Sequence, residues 1–515
     1  MPLTKQLLQK ITDEVWIQEI FVFLDLKTIR SFCFLKIIEL NFDLVLSHLY
    51  TLYSEEHISL PPNAIFDRVT IAIIPRTSFT LLNCPSLIHL DLGKTDWSKS
   101  LLFIRNLSNL KHLNLYRNNQ ITSLEPLSYC SGLTYLTLQN NNRITSLEPL
   151  SHCSGLTYLN LQSNNQITSL GSLSHCLDLT YLNLQNNNQI TSLEPFSHCS
   201  SLTYLNLQNN NQITSLEHFS HCSGLTHLNL NNNKKIHSFE GLRNCTRLEH
   251  LDVSCNQLIT CVEPLLNCPI KYLNLSSNLT INWNNCFPCT LTELDLSSNS
   301  GAFNSLEPIS NCSNLTILNL FYNNVITSLE PLLNCINLVQ LYLCYNDKIS
   351  SLFGISNCSK LTHLNLQFNT QIDSIELLCN CHNLNYLEMS LNRRVTSLGP
   401  LSKCHNLTYL NLNNNNQIDS LEPLSDCQKL EELYLHFNTR ISSLEPLSRC
   451  SLKILDLRSN DRISSLEPLR NNSHLIQLDL SSNEQIASLE PLSNSKNSLK
   501  KGFLRIKGGE TFLKR

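Results

Sequence analysis

The chain has 515 residues, of which only 15% are charged and only 12 are glycine, against about 25% charged and about 7% glycine in an average soluble protein. Its 37 basic and 41 acidic side chains leave a net charge of -4, which disfavours a chain-wide nucleic-acid surface, and the scarcity of glycine leaves little material for phosphate-cradling loops. The N-terminus shows no apolar stretch before a small-residue cleavage site, and no apolar run reaches the roughly 18 residues of a membrane span, so the 22 cysteines are expected to be free thiols in a reducing cytosol or nucleus.

Residues 1–60 are predicted to form a small helical region. From Asp13 to Leu24 the apolar side chains Val15, Trp16, Ile20, Phe23 and Leu24 fall near helical spacing behind a Thr12 or Asp13 N-cap, and Asp25 opens a second helical stretch that runs to Lys36. The run ITDEVWIQEIFVFLDLKTIRSF is similar to the first two helices of an F-box, through Ile11, Glu14, Val15, Ile20, Phe21, Leu24, Asp25, Leu26, Lys27 and Ile29. Thr12 stands where that pattern usually has proline, and no Trp follows in the third helix. The resemblance implies that Val15, Ile20, Phe21, Leu24, Leu26 and Ile29 dock a Skp1-like subunit of a cullin ubiquitin ligase. The alternative is a plain helical cap over the exposed first coil, which every solenoid requires.

Residues 61–86 read as a divergent first coil, with Phe66, Val69 and Ile71 at frame positions 1, 4 and 6. From 87 to 497 a frame of the form LTYLNLQNNNQITSLEPLSHCSG recurs 18 times, its first position running from Leu87 to Leu475 and mostly 23 residues apart. Apolar residues hold positions 1, 4, 6, 12, 15 and 18, Asn holds position 9 in every copy but the first, which has Thr95, and Cys holds position 21 in most. The alternation around positions 4 and 6 is that of a half-buried strand, so Leu136 and Leu138 should point inward and Tyr135 and Thr137 outward. One coil cannot bury its leucines alone, so copies must stack, at about 4.8 Å per strand, into one long parallel sheet. Proline in Ser146 to Ser151 fits the first turn of a short helix and forbids a long one. The fold expected is an α/β solenoid, curved, with the parallel sheet on its concave face and one-turn or 3₁₀ helices behind it.

This frame resembles the LxxLxLxxN leucine-rich repeat, and its Ile-x-Ser-Leu-x-Pro-Leu half is most similar to the internalin and phosphatase-regulator type. The position 9 asparagines are expected to pair with backbone groups of their own and the next coil. The position 21 cysteines are expected to act as buried, unbridged hydrophobes. Pairs such as His152-Cys153 tempt a metal reading, but adjacent residues face apart, and Cys286-Phe-Pro-Cys289 has no second pair at zinc-site distance. The shortening of the spacing to 22 and 21 residues around it, then 24, marks a local irregularity. No cofactor, metal or catalytic constellation is expected, since the polar residues are spread one per coil.

What remains is binding. The concave face should hold a protein target through the position 3 rings Tyr135, Tyr158, Tyr181, Tyr204, Tyr386 and Tyr409 and the position 5 residues Asn160, Asn183 and Asn206. Position 5 turns acidic later in the chain, as at Asp456 and Asp479, which favours a basic segment on the partner. Residues 498–515 form a basic tail, expected to be polar and partly disordered. Two functions follow: an F-box adaptor that recruits a ubiquitylation target, or a monomeric interaction scaffold with no ubiquitin role. Surface display of the internalin kind is disfavoured by the missing signal and by the cysteines.

Overall fold

The computed structural model describes residues 71–73, 86–94, 101–282, 287–301, 303–495, 501–503, 505–506 and 509–510. The chain divides into two compact units, 1–233 and 234–515. In the first, the described strands are Ile71–Ile73, His89–Asp91, His112–Asn114, Tyr135–Thr137, Tyr158–Asn160, Tyr181–Asn183, Tyr204–Asn206 and His227–Asn229. Each pairs in parallel with its chain neighbours, position for position: Tyr135 lies opposite Tyr158, Leu136 opposite Leu159 and Thr137 opposite Asn160. The second unit repeats the arrangement from His250–Asp252 to Gln477–Asp479. This is the leucine-rich-repeat solenoid that the frame dictates.

One coil shows why these residues fold this way. Leu133, Leu136, Leu138, Ile144, Leu147, Leu150 and Cys153 are all at 2% exposure or less, so every apolar position of the frame, and the cysteine, converges on the core. The three-residue strand gives way at position 8 to a left-handed residue, Asn140 with φ 59°. That twist lets two more backbone donors reach the next coil: Leu138 N–H donates to Asn160 O at 2.7 Å and Asn140 N–H to Gln162 O at 2.8 Å. The return path carries a five-residue 3₁₀ helix, Glu148–His152, with proline in its first turn. Ser146 Oγ accepts the Glu148 N–H at 3.2 Å and fixes where that helix begins.

Two ends differ from the sequence expectation. Ile71 pairs with His89 and Ala72 with Leu90, so Ala72 takes position 4 and the first coil runs three residues later than a frame started at Phe66. At the other end Lys501–Phe503, assigned to the tail, forms a parallel strand on Gln477–Asp479, followed by an antiparallel pairing of Arg505–Ile506 with Gly509–Glu510. Register with the preceding strand outweighs the basic composition there.

Candidate interaction surface

The position 3 side chains stack into a column. Ring centroids lie 4.1 Å apart for Tyr135 and Tyr158, 4.3 Å for Tyr158 and Tyr181, and 4.4 Å for Tyr181 and Tyr204, with planes within 9° of parallel. His89 and His112 begin the column, 4.1 Å apart. In the second unit Tyr386 and Tyr409 repeat it at 4.2 Å. In-register pairing leaves the rings no other arrangement, since each must fit the strand spacing. Burial, then the neighbouring Tyr158, pushes the Tyr135 hydroxyl up to about 12. Burial likewise raises Tyr181, and at Tyr409 burial is reinforced by the Glu388 carboxylate.

Position 5 is less open than strict alternation implies. Thr137 and Asn160 are 9% exposed, and Asn183, Asn206, Glu388 and Asp456 are 7%. Their oxygens are engaged locally: Asn160, Asn183 and Asn206 each accept the backbone N–H two residues on, at 3.0, 3.0 and 2.9 Å. These are Asx turns that set up the left-handed residue after them. Neighbours in the column also bond to one another, as Asn411 Nδ2 does to Glu388 Oε2 at 2.8 Å.

The second unit adds charge. Asp456 is gripped by Arg458, whose Nη2 donates to Oδ2 at 2.6 Å and Nε to Oδ1 at 2.9 Å, while Arg458 Nε stands 3.6 Å from Asp479 Oδ2. Tyr434 donates to Glu432 Oε2 at 3.1 Å, and burial together with that carboxylate moves its hydroxyl up to about 12. Tyr409, Tyr434, Asp456 and Arg458 line a depression of about 510 Å³ that also takes in Asn411 and Asp479. The surface therefore offers rings and carboxylates side by side. Among the sequence-predicted residues, Tyr409, Asp456 and Asp479 are brought together here, whereas Tyr135 to Tyr204 form their column in the first unit. Val15, Ile20, Phe21, Leu24, Leu26 and Ile29 lie outside the described residues.

Two structural columns sit beneath this face. At position 9, Asn141 is fully buried; its Nδ2 donates to Leu138 O at 2.7 Å and Leu115 O at 2.9 Å, and its Oδ1 accepts the Asn118 N–H at 2.8 Å. At position 21 the thiols are free and buried, and they bond to backbone rather than to each other: Cys153 Sγ donates to Cys130 O and Leu127 O, both at 3.5 Å. Sequence reasoning passed over position 8, where the left-handed residue is Lys94, Arg117, Asn or Ser in the first unit and becomes bulky and apolar at Tyr322, Tyr345, Phe368, Leu391 and Phe437 in the second. The signal was a departure from the frame's own preference.

A stack of one-strand coils with a ring-lined strand face defines the chain as a repeat scaffold. It is a leucine-rich-repeat protein: the model of leucine-rich repeats in two copies matches residues 108–152, 131–175, 154–198, 177–221, 223–267, 382–426 and 406–449, and a second leucine-rich-repeat model matches 287–300, 311–328 and 357–374. No curated protein matches the chain. Among solved structures it is similar to a leucine-rich-repeat protein of Leptospira interrogans, at 22% identity over 80% of this chain and 99% of that one, with a TM-score of 0.62, which shows the shared fold. Matches also include the functional domain of InlJ from Listeria monocytogenes, which includes a cysteine ladder, at 25% identity, coverage of 74% and 71%, and a TM-score of 0.42. An internalin, InlF, from the same organism matches at 20% identity, coverage of 75% and 84%, and a TM-score of 0.34.

Proposed function

We propose that the protein is a non-enzymatic interaction scaffold that holds a protein partner on its strand-side face. The observation that carries this reading is the ring column, which presents large amphipathic side chains already ordered by stacking, so that little entropy remains to be lost on binding. Fourteen buried, unbridged thiols at position 21 fit a reducing compartment such as the cytosol or nucleus. The test is an affinity capture with full-length chain, comparing Tyr181→Ala with Tyr204→Ala against Glu148→Lys with Glu194→Lys on the 3₁₀ side. A partner lost equally with both pairs would refute the assignment of the face.

One sequence observation favours a more specific role. The F-box-like run from Ile11 to Phe32 makes the chain a substrate-recruiting adaptor of a cullin ubiquitin ligase, with a Skp1-like subunit on Val15, Ile20, Phe21, Leu24, Leu26 and Ile29. Ile20→Lys with Leu24→Lys should abolish co-purification of that subunit while the repeats stay folded. If the wild-type chain carries no such subunit, residues 1–60 serve as a cap and the scaffold has no ubiquitin role.

A further inference from the structure

Position 8 has a left-handed backbone in every described coil, with φ between 54° and 63°. Asparagine tolerates this region and bulky side chains do not, so an aromatic there costs conformational energy that Asn would save. Asn140, Ser163, Asn186, Asn209 and Asn232 obey that preference. Four successive coils of the second unit break it with Tyr322, Tyr345, Phe368 and Leu391; Asn414 follows, Phe437 departs again one coil later, and Lys94, Arg117 and Cys255 are departures without an aromatic ring. Their backbone bonds are the ordinary ones: Tyr345 N–H still donates to Gln367 O and Phe368 N–H to Ser390 O, both at 2.9 Å. Nothing in the turn requires an aromatic.

The rings are not core. Tyr322 is 45% exposed and Phe321, beside it at position 7, is 37% exposed, while Tyr345 and Phe368 are half-buried by each other. Tyr345 stacks on Phe368 at 4.9 Å and meets Phe321 edge-on at 5.7 Å. The result is a solvent-facing aromatic ridge, costly both in backbone conformation and in exposed apolar area, and a run of such departures in consecutive coils marks a contact surface.

Charge says what kind of contact. From His250 to Ser481, frame positions 3, 5 and 7 carry Asp252, Glu293, Asp295, Glu388, Glu432, Asp456 and Asp479 against one cation, Arg458. Glu388 and Asp456 are nearly buried and engaged by Asn411 and Arg458, which leaves Glu293 and Asp295 in the coil before the ridge and Glu432 and Asp479 in coils after it as the accessible carboxylates. The cations Lys348, Arg393 and Arg394 stand further round the turn, at positions 10 and 11. We propose that the ridge of Phe321, Tyr322, Tyr345, Phe368 and Leu391 docks an apolar segment of a protein partner that carries lysine or arginine, its cations laid against the strand-side carboxylates. This deepens the reading of the strand-side face as protein-binding and rests on it. A nucleic acid would be repelled by the same carboxylates.

The test uses the full chain and three fluorescein-labelled dodecapeptides, alternating Lys with Leu, Lys with Ser, and Glu with Leu, read by anisotropy at physiological salt. The Lys–Leu probe should bind at least about ten-fold more tightly than either other probe, as expected when apolar anchor and charge are both needed. The variant Tyr322→Asn, Tyr345→Asn, Phe368→Asn introduces the residue that Asn140, Asn186, Asn209, Asn232 and Asn414 place in the same backbone conformation, so its urea midpoint should be unchanged or higher while Lys–Leu binding falls at least about ten-fold. Equal binding of wild type and variant, no preference for the Lys–Leu probe, or a lowered midpoint would overturn the proposal, the last because it would make the rings a packing element. The Tyr181 and Tyr204 variants leave the ridge intact. Partner loss there with unchanged Lys–Leu binding separates failure of the ridge from failure of the wider face.

Discussion

The side-chain oxygen of Asn141 accepts the backbone N–H of Asn118 at 2.8 Å, so the asparagine of one coil holds the main chain of the coil before it. The link propagates: Asn164 serves Asn141, Asn187 serves Asn164 and Asn210 serves Asn187. In the second unit it is interrupted, since Asn392, Asn415 and Asn438 are buried with Oδ1 unpartnered.

That contrast yields a comparison between two deletions. Asn210→Ala removes the acceptor for Asn187 N–H and the donor for Leu184 O and Leu207 O, whereas Asn415→Ala removes only the donor for Met389 O and Leu412 O. At about 1–3 kcal/mol for each buried group left unpaired, Asn210→Ala should destabilise more than Asn415→Ala by at least about 1 kcal/mol. Urea unfolding followed by circular dichroism measures both, and equal losses would mean that the Oδ1 bond contributes nothing.

Thiol labelling should divide the cysteines by place in the frame. Cys130, Cys153 and the other position 21 thiols are buried, Cys255, Cys261 and Cys379 are half-buried, and Cys289 is exposed. Among the described cysteines of native protein a maleimide should therefore reach Cys289 first, the half-buried three more slowly, and the ladder only after denaturation. Mass spectrometry of the labelled peptides gives the order, and early modification of Cys153 or Cys381 would contradict an inward ladder.

The same burial makes the solenoid alkali-sensitive. Burial pushes Cys130 up to about 11 and Cys153, Cys222, Cys381 and Cys427 to about 12, from 9.0 when unfolded. Below the unfolded value both states hold the proton and stability is at its full level. As pH rises past it, the unfolded chain releases protons that the folded chain keeps, so stability falls continuously toward the folded values. The urea midpoint should hold between pH 7 and about 8.5 and then drop. Replacing Cys153 and Cys222 by Ala should make the drop shallower.

The core was legible because one argument governs it: a coil too small to bury its own leucines must stack, and stacking places Leu136, Ile144, Leu150 and Cys153 inside. The outward face was legible only as a direction. Alternation puts Tyr135 and Thr137 on one side, but it does not register that columns spaced by a strand repeat touch their own copies, which is how Asn160 and Glu388 come to be covered. The left-handed turn was hidden for a related reason. In most proteins glycine signals it, and here Asn, Ser and even Tyr345 occupy it, because the bond to the next coil fixes the backbone.

The start of the ring column should respond to acid. His89 stacks on His112 at 4.1 Å, and burial lowers the pKa of both, aided by the His112 charge at His89 and by the Lys111 charge at His112. In the folded state the rings therefore resist protonation. As pH falls through the unfolded value near 6.5, the unfolded coil takes up protons first, so the stability of this end is full above that pH and is lost on acidification. The loss is local, because a stacked repeat can open at its end without the rest. Amide exchange at Leu90 and Leu113, corrected for intrinsic rates, should accelerate between pH 7.5 and 5.5 while exchange at Leu182 does not. His89→Tyr with His112→Tyr extends the tyrosine column and removes both titrating groups, so its exchange at Leu90 and Leu113 should become independent of pH across that range. A variant that keeps the wild-type pH dependence would show that some other group controls this end of the stack.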